Sequence, residues 1–166
     1  EVKYSVGHYD TMTSLYLEDI TFLLVDSLLY GILLAVIAKK VGNSRRKHKV
    51  NPPETNGPIE FVCTFRAQQN CTEWFPIFIT ALWGAGLFFH QVPAAIVGLV
   101  FVYSRHRYFH DYSEKASKRV SPFWMGAYCV LLMFFMAGIG LTHQLLKIYA
   151  GVDLAKKALA MYYGSL

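Results

Sequence analysis

Hydrophobic positions along the chain gather into four long blocks rather than alternating with polar ones. They run from about Leu17 to Val41, from Glu60 to Phe89, from Val92 through to Arg119, and from Ser121 to Leu146. A helix crossing the hydrocarbon core of a bilayer needs about 20 mostly apolar residues. The fourth block meets this outright, with no Asp, Glu, Lys or Arg between Val120 and Leu146. The second and third meet it only as helices whose polar ends emerge from the bilayer. Those ends are patterned: Arg66, Asn70 and Glu73 recur at i, i+4 and i+7, and Tyr108, Tyr112, Lys115 and Arg119 at i, i+4, i+7 and i+11. Each set falls on one helix face. Breakers separate the blocks: Asn51-Pro52-Pro53 and Asn56-Gly57-Pro58 in a loop from Gly42 to Pro58, a tight turn at Gln91-Val92-Pro93, and Val120-Ser121-Pro122 leading into the fourth helix. The pattern predicts an all-α integral membrane protein, a bundle of four transmembrane helices over residues 17–147. An extension covers 1–16, and a C-terminal tail covers 148–166, with an amphipathic stretch at 152–163 suited to the membrane interface.

Composition narrows this to one domain. Of 166 residues, 54% are hydrophobic and 16% charged, which leaves little polar surface for a soluble domain of this length. The net charge of +5 is concentrated in Lys39, Lys40, Arg45, Arg46, Lys47 and Lys49. This run reads as a juxtamembrane segment near anionic lipid. Nucleic-acid binding is set aside because no soluble module surrounds it. The first and third connections hold most of the Lys and Arg, which puts them in the cytosol and both termini on the far side. Both polar stripes then lie at the cytosolic end. Cys63, Cys71 and Cys129 have no paired spacing, so neither a disulfide framework nor a metal site is expected. Residues 1–16 lack the basic start and short apolar core of a signal peptide.

Ionisable groups at membrane depth are costly and normally face a cavity or one another. The first stripe offers a guanidinium able to grip a carboxylate in two bonds, with an amide and a carboxylate for amide and ammonium groups. The second adds phenols and cations. Together they suggest a pocket for a small zwitterionic or anionic ligand at the membrane edge. The bland alternatives are contacts between helices, a wet helix end, an interfacial tyrosine belt, and, for Arg119, a headgroup anchor. Arg45 and Arg46 taken alone read as a solvated basic loop. Asp26, in an apolar stretch, needs a partner or a proton and is expected against a neighbouring helix or a subunit interface. Gly84, Gly86, Gly138 and Gly140 suit close helix contact. Asn70-Cys71-Thr72 matches a glycosylation acceptor but lies within a predicted membrane helix.

The stretch Phe65-Arg66-Ala67-Gln68-Gln69-Asn70-Cys71, followed by Phe75-Pro76-Ile77-Phe78 and Leu82-Trp83, resembles the membrane-associated eicosanoid and glutathione metabolism (MAPEG) family. The nearest branch is that of microsomal glutathione transferase type two and leukotriene C4 synthase. Gly98-Leu99-Val100, Arg105, Tyr108-Phe109, Tyr112 and Arg119 extend the resemblance, as do Arg45-Arg46 and Pro52-Pro53, so that it covers about residues 45–122. The resemblance implies a homotrimer of four-helix subunits in the endoplasmic reticulum or nuclear envelope, with glutathione as co-substrate, bound between neighbours, and no metal. It places glutathione against Arg66, Gln68, Asn70, Glu73, Tyr108 and Tyr112, with Arg45 reaching across the interface. Arg119 is then the residue that activates the thiol, and Arg46 assists at the leaving or product oxygen. A lipophilic electrophile, such as a lipid epoxide, arrives from the bilayer along an apolar groove that includes Trp74 and Trp124. Glutathione conjugation of the leukotriene C4 synthase kind, with lipid peroxidase activity beside it, is the implied function.

Two departures stand out. The branch usually reads Phe-Glu-Arg-Val where this chain has Phe61-Val62-Cys63-Thr64, and Trp74 replaces a tyrosine. The segment Gln91-Val92-Pro93-Ala94-Ala95 is similar to the lipoxygenase-activating branch, a non-catalytic scaffold that presents lipid. That scaffold is the alternative function. The arginine it lacks is present here as Arg66.

Overall fold

The computed structural model describes residues 7–151, with side chains from Ile20 onward. The expected amphipathic stretch at 152–163 and residues 1–6 lie outside them. Helix α1 spans Gly7–His48, α2 Ile59–Phe88, α3 Gln91–Glu114 and α4 Val120–Ala150, and a 3-10 turn at Ala116–Arg119 joins the last two. The four helices pack side by side, each of α2, α3 and α4 against the other two and α1 against α2 and α3.

Three segments are long and apolar enough to cross a membrane: Ile20–His48, Ile59–Phe88 and Ala116–Ala150. Helix α3 is not among them. Its 24 residues reach about 36 Å at the α-helical rise, but the stretch from Arg105 to Glu114 is mostly polar. Away from that end the bundle is apolar outside as well as inside. Leu28, Ile32, Leu131 and Phe135 are all more than 60% exposed, a surface suited to lipid rather than water.

Two expected boundaries are corrected. Helix α1 does not stop at Val41 but carries Arg45, Arg46 and Lys47 in its last turn, so the loop shortens to the residues between His48 and Ile59. Cations are favourable at a helix C-terminus, where the backbone dipole is negative. Lys49 then turns the chain with φ of 56°. Helix α3 does not run on to Arg119. It ends at Glu114, Lys115 is extended at φ −154° and ψ 125°, and the chain re-enters helix through the 3-10 turn. No Gly or Pro announces this break; the chain must reverse there so that α4 can pack back on α2 and α3. Pro122 falls in the first turn of α4, where its missing N–H costs no hydrogen bond.

The mid-bundle core is aromatic. Phe78 of α2 stacks on Phe101 of α3 at 4.4 Å, and Tyr30 of α1 sits edge-on to both while donating to the Cys71 carbonyl at 2.7 Å. Asp26 is buried with its carboxylate against Gly98 of α3, within its own chain. Gly140 lies directly on the backbone of Phe88 and Phe89, whereas a Cβ at Gly138 would meet nothing within 4 Å among the described residues. Gly140→Ala should therefore force α4 away from the end of α2, at about 1–3 kcal/mol as for other overpacked contacts. Gly138→Ala should leave stability unchanged. Thermal unfolding midpoints in detergent would show the difference, and equal midpoints would remove the close-contact role of Gly140.

Candidate functional site

At the end of the bundle where α3 turns polar, Arg66, Gln69, Asn70 and Glu73 of α2, Tyr108 and Tyr112 of α3 and Arg119 of the 3-10 turn line one cavity of about 220 Å³. The α2 residues stand at i, i+3, i+4 and i+7, so a single regular helix face supplies that wall. The α3 tyrosines stand one turn apart, their rings edge-on at 5.7 Å. Arg119 lies beyond the end of α3, yet the 3-10 turn returns its guanidinium over the Tyr112 ring at 4.8 Å, while its Nη1 donates to the Ala116 carbonyl at 3.2 Å. The two stripes thus meet, the second through a turn rather than a continuous helix. Lys115 does not line the cavity.

The wall is strongly polar: two guanidinium groups, one carboxylate, two side-chain amides and two phenols. Arg66 Nη1 donates to Gln69 Oε1 at 3.1 Å. Gln69, which is part of the family motif but was not expected at the ligand, stands on the same face by its spacing from Arg66 and Glu73. Gln68, expected at the site, points elsewhere and donates to Thr72 Oγ1 at 3.2 Å. Arg45 and Arg46 line a separate cavity of about 530 Å³ with Lys49, Val50 and Pro52. Within that region Arg45 donates to the Glu54 carbonyl at 2.6 Å and lies over Phe61 and Phe65 at 5.1 and 5.4 Å. Trp74 faces inward, edge-on to Phe123 at 5.7 Å. Trp124 is 53% exposed on the outer face of α4. Val62 is half-buried and Cys63 buried, and neither lines the cavity, so the departure at this pair leaves the polar wall whole.

Behind the wall stands Arg105, completely buried. Its Nη2 donates to the carbonyls of Pro122 and Phe123, both at 3.3 Å, and its Nη1 reaches Asn70 Oδ1 at 3.4 Å. The guanidinium lies over the rings of Tyr108 and Trp74 at 4.8 and 5.1 Å. Cation–π contact and charge-assisted bonds to carbonyls are what make such a buried charge tolerable. Arg105 thereby ties two cavity residues, Asn70 and Tyr108, to the start of α4. The family resemblance includes Arg105, but nothing in the sequence marks it as buried, whereas Arg107, two residues on, is exposed and paired with Asp111 at 3.2 Å.

The sequence model of the MAPEG family matches residues 23–139. Microsomal glutathione S-transferase 2 of Bos taurus is 44% identical over 131 residues, which is 79% of this chain and 90% of that protein. The protein of the same name from Mus musculus is 42% identical over 139 residues, 84% of this chain and 95% of its own. Leukotriene C4 synthase of Cavia porcellus is 40% identical over 141 residues, 84% of this chain and 94% of that enzyme.

Proposed function

The chain belongs to the MAPEG family, and from that membership and the composition of the cavity we propose that it is a membrane glutathione transferase. Its substrates are glutathione and a lipophilic electrophile drawn from the bilayer, such as a lipid epoxide. The observation that carries the reading is the cavity wall of Arg66, Gln69, Asn70, Glu73, Tyr108, Tyr112 and Arg119. Glutathione brings two carboxylates, an ammonium and a thiol. Arg66 suits a carboxylate and Glu73 the ammonium, while Asn70 and Gln69 suit the peptide groups between them. Arg119, beside Tyr112, is left for the sulfur.

The chemistry follows from this assignment. A free thiol is a weak nucleophile until it ionises, and a fixed guanidinium favours the thiolate. A guanidinium supplies that positive charge in a planar fork of donors. The thiol proton leaves to water at the open membrane face. The thiolate then forms a carbon–sulfur bond to the epoxide carbon as the carbon–oxygen bond breaks, and the resulting alkoxide takes a proton. Arg46 is assigned to that oxygen. Peroxide reduction by the same thiolate is the allied activity.

A homotrimer is part of the proposal. The cavity in one chain, about 220 Å³, is smaller than the roughly 300–1,000 Å³ of a typical small-molecule site. A wall from a neighbouring copy, including its Arg45, would complete it and supply the cation for the second carboxylate. Residues 17–147 form the membrane domain in this reading, the site faces the cytosol, and the membrane is that of the endoplasmic reticulum or nuclear envelope. The groove for the electrophile lies toward Trp74 and the exposed Trp124.

The test is glutathione binding and conjugation by the purified protein with a lipid epoxide. Arg66→Ala should weaken glutathione binding about ten- to a hundredfold, the loss of one charge-assisted bond to a carboxylate. Unchanged affinity by calorimetry would remove Arg66 from the site. Glutathione binding with no conjugation of any epoxide or peroxide would favour the lipid-presenting scaffold instead.

A further inference from the structure

The polar end of α3 has a second face. Tyr108 and Tyr112 turn toward the cavity, but His106 and His110 stand one turn apart on another side, with ring centroids 4.7 Å from each other. There α1 delivers Lys40, whose Nζ lies 3.0 Å from His110 Nε2 and 5.6 Å from the Phe109 ring centroid. A lysine ammonium can only donate, which makes the imidazole Nε2 the acceptor of this contact. Lys39 is exposed beside Lys40. Nearby carboxylates are committed elsewhere, Asp111 to Arg107 at 3.2 Å and Glu114 to Lys118 at 2.9 Å. The seam between α1 and α3 therefore ends in a cluster of nitrogen groups with no carboxylate paired to Lys40 among the described residues.

Two rows of side chains descend from that cluster toward the bilayer interior and become apolar. On α1, Lys40 is followed by Val36, Leu33 and Leu29 at i−4, i−7 and i−11. On α3, His110 is followed by His106, Tyr103 and Leu99 at the same intervals. Val36, Leu29, Tyr103 and Leu99 are 40–54% exposed. Lysine side chains at the membrane edge, above partly exposed apolar side chains on two packed helices, match the two ends of an anionic phospholipid.

We propose that the α1–α3 seam binds an anionic phospholipid, its phosphate on Lys40, His110 and His106 and an acyl chain along Val36, Leu29, Tyr103 and Leu99. The site is separate from the cavity, and it does not depend on the transferase reading. The test uses the full chain in nanodiscs of phosphatidylcholine doped with phosphatidic acid, with lipid retention read by native mass spectrometry after extraction. The double variant Lys40→Gln/His110→Gln should retain about fivefold less phosphatidic acid, the effect of one interfacial cation. Lys40→Arg should retain it as the parent does, and so should Lys147→Gln, at the other end of the bundle. Equal retention by parent and double variant would overturn the proposal, as would retention by the parent no greater for phosphatidic acid than for phosphatidylcholine. Displacement of the lipid by inorganic phosphate at matched concentration would also overturn it, because the seam would then contribute nothing. Unfolding midpoints establish that the double variant is folded, as expected for exchanges at exposed positions.

Discussion

Arg119→Ala should slow glutathione conjugation about 10²–10³-fold, the usual cost of losing one group aimed at developing negative charge, while leaving glutathione affinity comparatively intact. The guanidinium is held over Tyr112 at the edge of the cavity, where it can act on a sulfur without being the main grip on the peptide. Without it the thiol should ionise only at higher pH. Raising the pH should restore part of the rate, since alkali supplies thiolate but not the positioned cation in the transition state. Arg119→Lys should recover part of the activity, having the charge but not the planar fork. Thiolate absorbance of bound glutathione across pH, measured beside turnover, separates these effects. An alanine variant that ionises glutathione and turns over like the parent would make Arg119 a headgroup anchor.

Arg105→Met should damage both stability and the cavity. Methionine approximates the bulk of the side chain but leaves the Pro122 and Phe123 carbonyls without their donor and Asn70 without its tie. The expected destabilisation is about 2–4 kcal/mol, from buried acceptors left unpaired, and glutathione should bind more weakly because Asn70 and Tyr108 lose their common support. Arg105→Lys should not rescue, because one ammonium cannot span two carbonyls and an amide while lying flat on aromatic rings. Gly126→Ala tests the same tie from the other side: an added Cβ would sit 2.5 Å from Arg105 Nη2 and 2.7 Å from Ser104 Oγ. It should lower affinity with a smaller loss of stability. Chemical unfolding in detergent, together with glutathione calorimetry, reads both quantities. Normal affinity in a folded Arg105→Met variant would show that Arg105 supports the bundle alone.

The first wall of the cavity was legible because α2 is regular there: Arg66, Asn70 and Glu73 at helical spacing could only share a face. Gln69 obeys the same spacing and is the nearest miss. Arg119 was reached by an incorrect route, since its i+11 spacing from Tyr108 presumes a helix that ends at Glu114. Its place depends on the 3-10 turn, and that turn on where α4 packs. Arg105 was illegible as a structural tie because its partners, Asn70, Pro122 and Phe123, come from two other helices. The pairing of Lys40 with His110, 70 positions apart, was hidden for the same reason.

By itself the sequence determined what short-range chemistry controls: which blocks are apolar enough for lipid, where Pro and Gly interrupt them, which polar residues share a helix face, and the family motif spread over those faces. Periodicity and transfer free energy act on neighbours along the chain and can be read from it. The tertiary structure alone decided where α1 and α3 end, which arginine is buried and which solvated, and why Gly140 but not Gly138 must be glycine. Those outcomes follow from volume exclusion and hydrogen-bond satisfaction between helices, which exist only once the helices are packed.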